Sequence, residues 1–244
     1  MPLQITREEY IVTATINRPK ARNAINFELM DRLESLLDEL ERDDSIRLFI
    51  LTGSGKSFIS GGDLREFHQI KDAEGAKTMT RRMLSVLGRI EALPCWTLAA
   101  INGHTYGGGW EMVLSFDFRA AGSEARFGFT QGAFYLPPGW GGLKKLNQTV
   151  GKNRALFLLA SQQVITADEA LQNGLIHKVF SQEKFSIELS SLKTLLTAND
   201  RAYINYLKQN QGKAVENEIE PFSKFWENKE HLKRVDDFLN RNKA

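Results

Sequence analysis

The sequence predicts an α/β fold, in which buried parallel strands alternate with helices over most of the chain. Within the first 52 residues, a strand pattern, a helical pattern and a second strand pattern follow one another. Further along, two apolar runs each lead into a glycine turn and then into a helical pattern. From about residue 181 the periodicity is only helical, so we divide the chain into a core of residues 1–180 and a helical region of residues 181–244.

The composition is that of an ordinary globular protein with one large core. Of the 244 residues, 42% are hydrophobic and 25% are charged, and the net charge of +2 is too small to favour nucleic acid or an anionic membrane as the main partner. No apolar run is long enough to span a membrane and no signal peptide is evident, so we expect a cytoplasmic protein. Cys95 is the only cysteine and the four histidines are scattered, so we expect no disulfide and no metal site.

The amino-terminal elements each have their own signal. Residues 3–6 and 10–16 have the composition of two strands, with residues 7–9 as a hairpin turn between them. Asn26 is the predicted N-cap of a helix that ends near Arg42, because an asparagine side chain accepts a hydrogen bond from the first free N–H groups. Residues 46–52, I-R-L-F-I-L-T, form the next strand, which its composition buries on both faces.

A first glycine turn lies in residues 53–63, G-S-G-K-S-F-I-S-G-G-D. It is not a phosphate-binding P-loop, since that motif requires a glycine five residues before Gly55 and Ile50 stands there. What remains is the pair Gly61 and Gly62, followed by a predicted helix from Asp63 onward. A second helical pattern at residues 78–93 ends before a proline.

The stretch that organises the chain is residues 96–111, W-T-L-A-A-I-N-G-H-T-Y-G-G-G-W-E. A buried strand at 96–101 and a buried helix at 110–116 flank three successive glycines. Because glycine is costly in backbone entropy, three in succession indicate bare backbone that approaches another group closely. Free N–H groups at such a turn suit an anion, and Glu111 is within reach of it. A tight turn with a helix-capping glutamate is the alternative.

The rest of the core contains one irregular loop among short elements. Strands are predicted at 117–121, 126–129 and 175–180, a helix at 151–160, and a helix that opens with a capping box from Thr166 to Glu169. Residues 131–142, Q-G-A-F-Y-L-P-P-G-W-G-G, suit a functional loop. In the last helices, the apolar face with Phe222, Phe225 and Trp226 predicts packing on the body or on another subunit.

Four segments together resemble the crotonase superfamily, the enoyl-CoA hydratases and isomerases. They are N-R-P-x-A-R-N-A-I-N at 17–26, S-F-I-S-G-G-D-L at 57–64, A-A-I-N-G-x-x-x-G-G-G-x-E at 99–111 and P-G-x-G-G at 138–142. Their order and spacing extend the resemblance over essentially the whole chain. It implies a crotonase-like spiral of ββα turns with a helical C-terminal region, assembled as a homotrimer or a dimer of trimers.

The resemblance also implies the chemistry. The substrate is an acyl-CoA thioester whose carbonyl oxygen binds between the N–H groups of Gly62 and Gly108, which then stabilise an enolate. Coenzyme A arrives as part of the substrate, with no permanently bound cofactor, and Lys56 and Arg65 are by position the candidates to bind its phosphates. In prototypical hydratases two glutamates activate the water, and these positions correspond to Glu111 and Gln131.

Gln131 departs from the hydratase pattern, and this departure favours decarboxylation. Glutamine cannot act as a general base, and losing acid–base help typically lowers a rate about 10²- to 10⁴-fold. Family members that decarboxylate methylmalonyl-CoA or ethylmalonyl-CoA tend to lack the second glutamate. This sequence also shares with the ethylmalonyl-CoA decarboxylases D-F-R at 117–119 and a tryptophan, Trp140, before the last glycine pair. Decarboxylation yields the enolate with no water to activate.

Two other functions stay open. Enoyl-CoA hydration or isomerisation in fatty-acid or related acyl-CoA metabolism is the main alternative, although isomerases of the family generally keep the second carboxylate. A crotonase-like scaffold that only binds is the minor alternative, which intact Gly62, Gly108 and Glu111 disfavour.

Overall fold

A computed structural model describes residues 1–241, and the chain forms two compact units, one of Met1–Arg201 and one that begins at Ala202. The described residues contain these strands: β1 (Leu3–Glu8), β2 (Ile11–Ile16), β3 (Leu48–Gly53), β4 (Ser57–Ile59), β5 (Trp96–Ile101), β6 (His104–Tyr106), β7 (Phe118–Gly122), β8 (Arg126–Gly128), β9 (Val164–Thr166) and β10 (Lys178–Phe180). Their α-helices are α1 (Phe27–Arg42), α2 (Leu64–Phe67), α3 (Ala73–Ala92), α4 (Gly108–Val113), α5 (Gly142–Val150), α6 (Lys152–Ser161), α7 (Ala167–Gln172), α8 (Phe185–Leu196), α9 (Arg201–Gln209), α10 (Ile219–Trp226) and α11 (Lys229–Arg241).

Successive repeats of strand, strand and helix build the first unit. The six-stranded sheet has the order β1-β2-β3-β5-β7-β10, and the four-stranded sheet has the order β4-β6-β8-β9. Strands β3, β5 and β7 of the large sheet are each followed along the chain by a strand of the small sheet, β4, β6 and β8. Neighbouring strands are parallel except in the β1–β2 hairpin and the β8–β9 pair. This architecture confirms the predicted α/β fold with ββα turns and a helical C-terminal region.

Helices α1 and α3 each bury one apolar face in the core of the first unit. The N-cap prediction is confirmed, because the Asn26 side chain accepts a hydrogen bond from the Leu29 N–H at 3.0 Å. The outer faces carry ion pairs between the helices, from Arg82 to Glu34 at 2.6 Å and from Arg89 to Glu41. Buried positions of α1 and α3 recur at helical spacing: Leu29, Met30, Leu33, Leu36, Leu37, Leu40, Met83, Val86, Leu87 and Ile90.

Several predicted boundaries are wrong, each for a local reason. Helix α3 begins at Ala73 rather than at residue 78, because the Asp72 side chain caps it by accepting from the Gly75 N–H at 2.7 Å. The first hairpin turn is shorter than predicted, since β1 continues to Glu8. The three-residue strands β4, β6 and β9 are too short to show a period in the sequence, and helix α5 is an element that we do not predict from the sequence.

The second unit has an aromatic cluster of its own. The rings of Tyr203 and Tyr206 contact Phe225 at centroid distances of 5.6 and 5.5 Å, whereas Phe222 and Trp226 remain about 60% exposed. Subunit packing by this region, a trimer or hexamer, and cytoplasmic location stay predictions. Within residues 1–241, no helix has the length and apolar character needed to cross a membrane.

Candidate active site

The small sheet brings three predicted site segments to one edge. Strands β4, β6 and β8 are adjacent and parallel, so their carboxyl ends lie side by side. Gly62 follows β4, Gly108 follows β6 and Gln131 follows β8, each within three residues of the strand end. The topology therefore places these residues near one another although they are far apart in the sequence.

The first glycine turn is held by the N-R-P segment at residues 17–26. The Ile25 N–H donates to the Gly61 carbonyl at 2.8 Å, and the Asp63 N–H donates to the Ile25 carbonyl at 2.7 Å. Arg18 forms an ion pair with Asp63 at 2.8 Å. Burial opposes ionisation of Asp63, but the hydrogen bond and charge of Arg18 outweigh it and lower the pKa of that carboxyl group. Two chain segments thus fix the backbone that contains Gly62.

The three glycines of the second turn serve different purposes. Gly107 has φ 53° and ψ −127°, a conformation that only glycine adopts readily. Helix α4 begins at Gly108 rather than at Trp110 as predicted, and the φ of Gly108 is not left-handed. A side chain on Gly108 would instead collide with the indole of Trp140, and one on Gly109 would collide with the Ile59 backbone. Close approach is confirmed, but the approaching groups belong to the protein itself.

The backbone N–H groups of Gly62 and Gly108 are available to a ligand. Among residues 1–241, no acceptor takes a hydrogen bond from either group. The two turns also touch, since a Cβ placed on Gly61 would lie 3.2 Å from the Gly108 nitrogen. Two free donors on neighbouring turns can bind one oxygen, which is the arrangement an enolate requires. Their role as an oxyanion hole stays a proposal.

Glu111 is a buried carboxylate, 2% exposed, that four N–H donors surround. Its Oε1 accepts from the Gln131 side chain at 3.0 Å and from the Gly139 backbone at 3.3 Å. Its Oε2 accepts from the backbones of Trp140 and Gly142, at 2.7 and 2.9 Å. Burial raises the pKa of Glu111, and the four hydrogen bonds offset only part of that effect.

Gln131 has a fixed orientation because Trp110 holds it. The Trp110 indole N–H donates to Gln131 Oε1 at 3.0 Å, and the Gln131 amide nitrogen donates to Glu111 at 3.0 Å. An indole can only donate, so the amide oxygen faces Trp110 and the NH₂ group faces Glu111. The site therefore has one carboxylate and an amide donor where the hydratase pattern places a second carboxylate.

The two candidate phosphate-binding cations lie on either side of β4. Lys56 precedes this strand, whereas Arg65 is in α2, three residues beyond Gly62. Both side chains are exposed, and within the described part of the chain neither forms an ion pair. Their binding of coenzyme A phosphates stays a prediction.

The D-F-R segment at residues 117–119 has a structural role. Asp117 accepts from the backbone and hydroxyl of Thr97, both at 2.9 Å, at the amino ends of β5 and β7. Arg119 donates to the Leu175 carbonyl at 2.7 Å and to the Phe116 carbonyl at 2.9 Å. The second glycine turn follows β6, beyond the carboxyl end of β5. This segment therefore gives no support to decarboxylation, contrary to our expectation from the sequence.

Two tryptophans at the site had no assigned role in the sequence. Trp110 orients Gln131, and Trp140 contacts both Gly108 and Glu111. Trp140 could have been identified from its place inside the P-G-W-G-G segment, and Trp110 from its place beside Glu111. The sequence does not show, however, which residues the two indoles contact.

Exchanging Gly142 for alanine should inactivate the site, because this glycine packs directly on the Glu111 carboxylate. A Cβ on Gly142 would lie 2.6 Å from Glu111 Oε2. We expect Gly142→Ala to lower kcat/KM about 100-fold, whereas Gly139→Ala, which meets no atom within 4 Å and keeps its N–H donor, should stay within about threefold of the wild type. Steady-state kinetics on any accepted acyl-CoA checks this, and equal activity of both variants would contradict the packing argument.

Comparisons with known proteins relate both the sequence and the fold to one family. The family model described as enoyl-CoA hydratase/isomerase matches residues 6–237. The short-chain-enoyl-CoA hydratase of Clostridium acetobutylicum is 33% identical over 88% of this chain and 83% of its own length. The crotonyl-CoA hydratase of Syntrophomonas wolfei has the same identity and coverage. The crystal structure of an enoyl-CoA hydratase from Mycobacterium smegmatis superposes with a TM-score of 0.92, at 25% identity, over 99% of this chain and 97% of that one.

Proposed function

Because the chain belongs to the enoyl-CoA hydratase/isomerase family and is an acyl-CoA-processing member of it, we propose that it adds water to an enoyl-CoA thioester. The N–H groups of Gly62 and Gly108 bind the thioester oxygen. Glu111 takes a proton from the water as its oxygen attacks the β carbon, and then returns a proton to the α carbon of the enolate. Lys56 and Arg65 are the proposed partners of the coenzyme A phosphates.

One observation carries this proposal: a buried carboxylate with a raised pKa stands next to two glycine turns whose N–H groups have no acceptor among the described residues. A reaction through an enolate needs both features: the N–H groups stabilise the enolate oxygen, and the carboxylate moves a proton to or from carbon. A scaffold that only binds acyl-CoA needs no group that moves a proton, so in it Glu111 would serve only to hold the backbone of Gly139, Trp140 and Gly142.

Decarboxylation of an alkylmalonyl-CoA is the second candidate function. Gln131 supports it, because an uncharged amide does not repel a substrate carboxylate, whereas a second glutamate would repel it by about 4 kcal/mol at 4 Å and an effective dielectric of 20. The relatives named above are hydratases. The D-F-R segment stabilises the large sheet, where Asp117 accepts a hydrogen bond from Thr97. We therefore favour hydration, whereas the sequence alone favours decarboxylation. In decarboxylation, the electrons of the broken C–C bond form the enolate as carbon dioxide leaves. Protonated Glu111 then donates its proton to the α carbon.

The pH dependence of turnover separates the two reactions, since they need opposite protonation states of Glu111. Burial raises the pKa of Glu111, so its titration lies above the ordinary glutamate range. Hydration requires the carboxylate, and kcat/KM should therefore be lost as the pH falls through this raised pKa. Decarboxylation requires the acid, and kcat/KM should be lost as the pH rises through it. We expect crotonyl-CoA to be hydrated with the first profile. Efficient release of carbon dioxide from ethylmalonyl-CoA or methylmalonyl-CoA, with crotonyl-CoA left intact, would overturn the proposal.

Gln131→Glu should raise hydration, because it supplies a second acid–base group. Trp110 can still donate to the new carboxylate, so the side chain keeps its place. Adding acid–base help typically contributes about 10² to 10⁴ in rate, and the repulsion between the two carboxylates should reduce that gain. Any decarboxylation should slow in the same variant. Gln131→Met, which fills the space without polar groups, is the control, and equal hydration by both variants would contradict the assignment.

A further inference from the structure

Trp140 lies beside Gly62, Gly108 and Glu111, and the inference drawn from its position rests on the function proposed above. The thioester oxygen lies at the N–H groups of Gly62 and Gly108, and the reacting carbons lie between them and Glu111. The Trp140 indole touches the glycine end, since a Cβ on Gly108 would be 2.6 Å from its Cε3 and one on Gly62 would be 3.7 Å from its Cη2. Its backbone N–H touches the other end, at 2.7 Å from Glu111 Oε2.

Hydrogen bonds to Glu111 hold the segment around Trp140 in place. The N–H groups of Gly139, Trp140 and Gly142 all donate to Glu111. Hydrogen bonds to a buried carboxylate are among the stronger ones in proteins, so moving this backbone would break three of them at once. The indole itself is buried, with 6% of its surface exposed. The side chain is therefore a fixed wall and not a lid.

Phe67 also packs on the first glycine turn. A Cβ on Gly62 would lie 2.6 Å from the Phe67 ring, which also packs against Phe27 at a centroid distance of 5.3 Å. The rings of Phe67 and Trp140 thus both pack on the first glycine turn, and the Trp140 ring also packs on the second. We propose that Trp140 limits the substrate to a short acyl group, because a longer chain would have to pass through the position of its indole.

Binding and turnover across a series of chain lengths test this limit. In the wild type, butanoyl-CoA should bind at least about tenfold more tightly than octanoyl-CoA by calorimetry, since one surplus methylene in a filled pocket is typically worth about tenfold or more. The same order should hold for kcat/KM of crotonyl-CoA against 2-octenoyl-CoA. Trp140→Ala should reduce both ratios at least about tenfold, and Trp140→Leu, which keeps an apolar side chain in the core, should give an intermediate reduction.

The control is Tyr135→Ala, which removes a 97% exposed aromatic ring from the same loop and should leave both ratios unchanged. Equal binding of butanoyl-CoA and octanoyl-CoA by the wild type, or unchanged ratios in a folded Trp140 variant, would overturn the inference. Binding of the saturated thioesters needs no turnover. A protein that prefers butanoyl-CoA but hydrates nothing would refute the proposed reaction and support the role of Trp140.

Discussion

Glu111→Gln is expected to lower kcat about 10²- to 10⁴-fold, because it removes the carboxylate that moves the proton in either candidate reaction. The loss should appear mainly in kcat, since the N–H groups of Gly62 and Gly108 remain free to bind the thioester oxygen. In the wild type, N–H groups of Gln131, Trp140 and Gly142 donate to the two carboxylate oxygens of Glu111. In the variant, the amide NH₂ takes the place of one of these oxygens and repels the donors that point at it, so part of the loss of activity will come from this local repulsion. Kinetics and calorimetry with butanoyl-CoA separate the two effects.

A matched control for this exchange is Glu124→Gln, an exposed glutamate in the turn between β7 and β8. It changes the net charge by the same amount and should leave kcat within about twofold, as surface substitutions usually have small effects. A Glu111→Gln protein that is folded and retains more than about a tenth of the wild-type kcat would show that Glu111 is not the acid–base group.

Gly108→Ala is expected to lower kcat/KM about 10²- to 10³-fold, the typical effect of removing one oxyanion donor. The added Cβ would collide with the Trp140 indole, whose backbone is held at Glu111, so the first turn of α4 must move and carry the Gly108 N–H with it. Gly108→Val adds two further methyl groups and should abolish turnover. Measurement of kcat/KM together with thermal unfolding checks that the variants are folded.

The control for this change is Gly88→Ala, in the exposed face of α3. A Cβ there meets no atom within 4 Å, so the variant should keep full activity and gain about 0.5–1 kcal/mol in the free energy of unfolding, as alanine suits a helix better than glycine. Wild-type activity in a folded Gly108→Ala protein would remove Gly108 from the proposed oxyanion hole.

The sequence by itself determined the local chemistry of this protein. Glycine pairs and triplets placed bare backbone at two turns, and apolar periodicity identified the long helices and the strands of the large sheet. Asn26 and Thr166 fixed two helix starts, because their side chains bond to N–H groups only two or three residues away. Such signals can be read from a sequence because both partners lie within one short segment. The resemblance of four segments to one family predicted that Gly62, Gly108 and Glu111 belong to one site.

Only the tertiary structure decided how these groups meet. The small sheet is built from strands of three residues, too short for a pattern, yet its parallel order places the ends of β4, β6 and β8 at one edge. The Trp110–Gln131–Glu111 chain and the wall formed by Trp140 join side chains 20 to 29 residues apart. The same is true of D-F-R, where Thr97 and Leu175 supply the partners of Asp117 and Arg119. Contacts between distant segments depend on which strands pair, and no local propensity specifies that pairing.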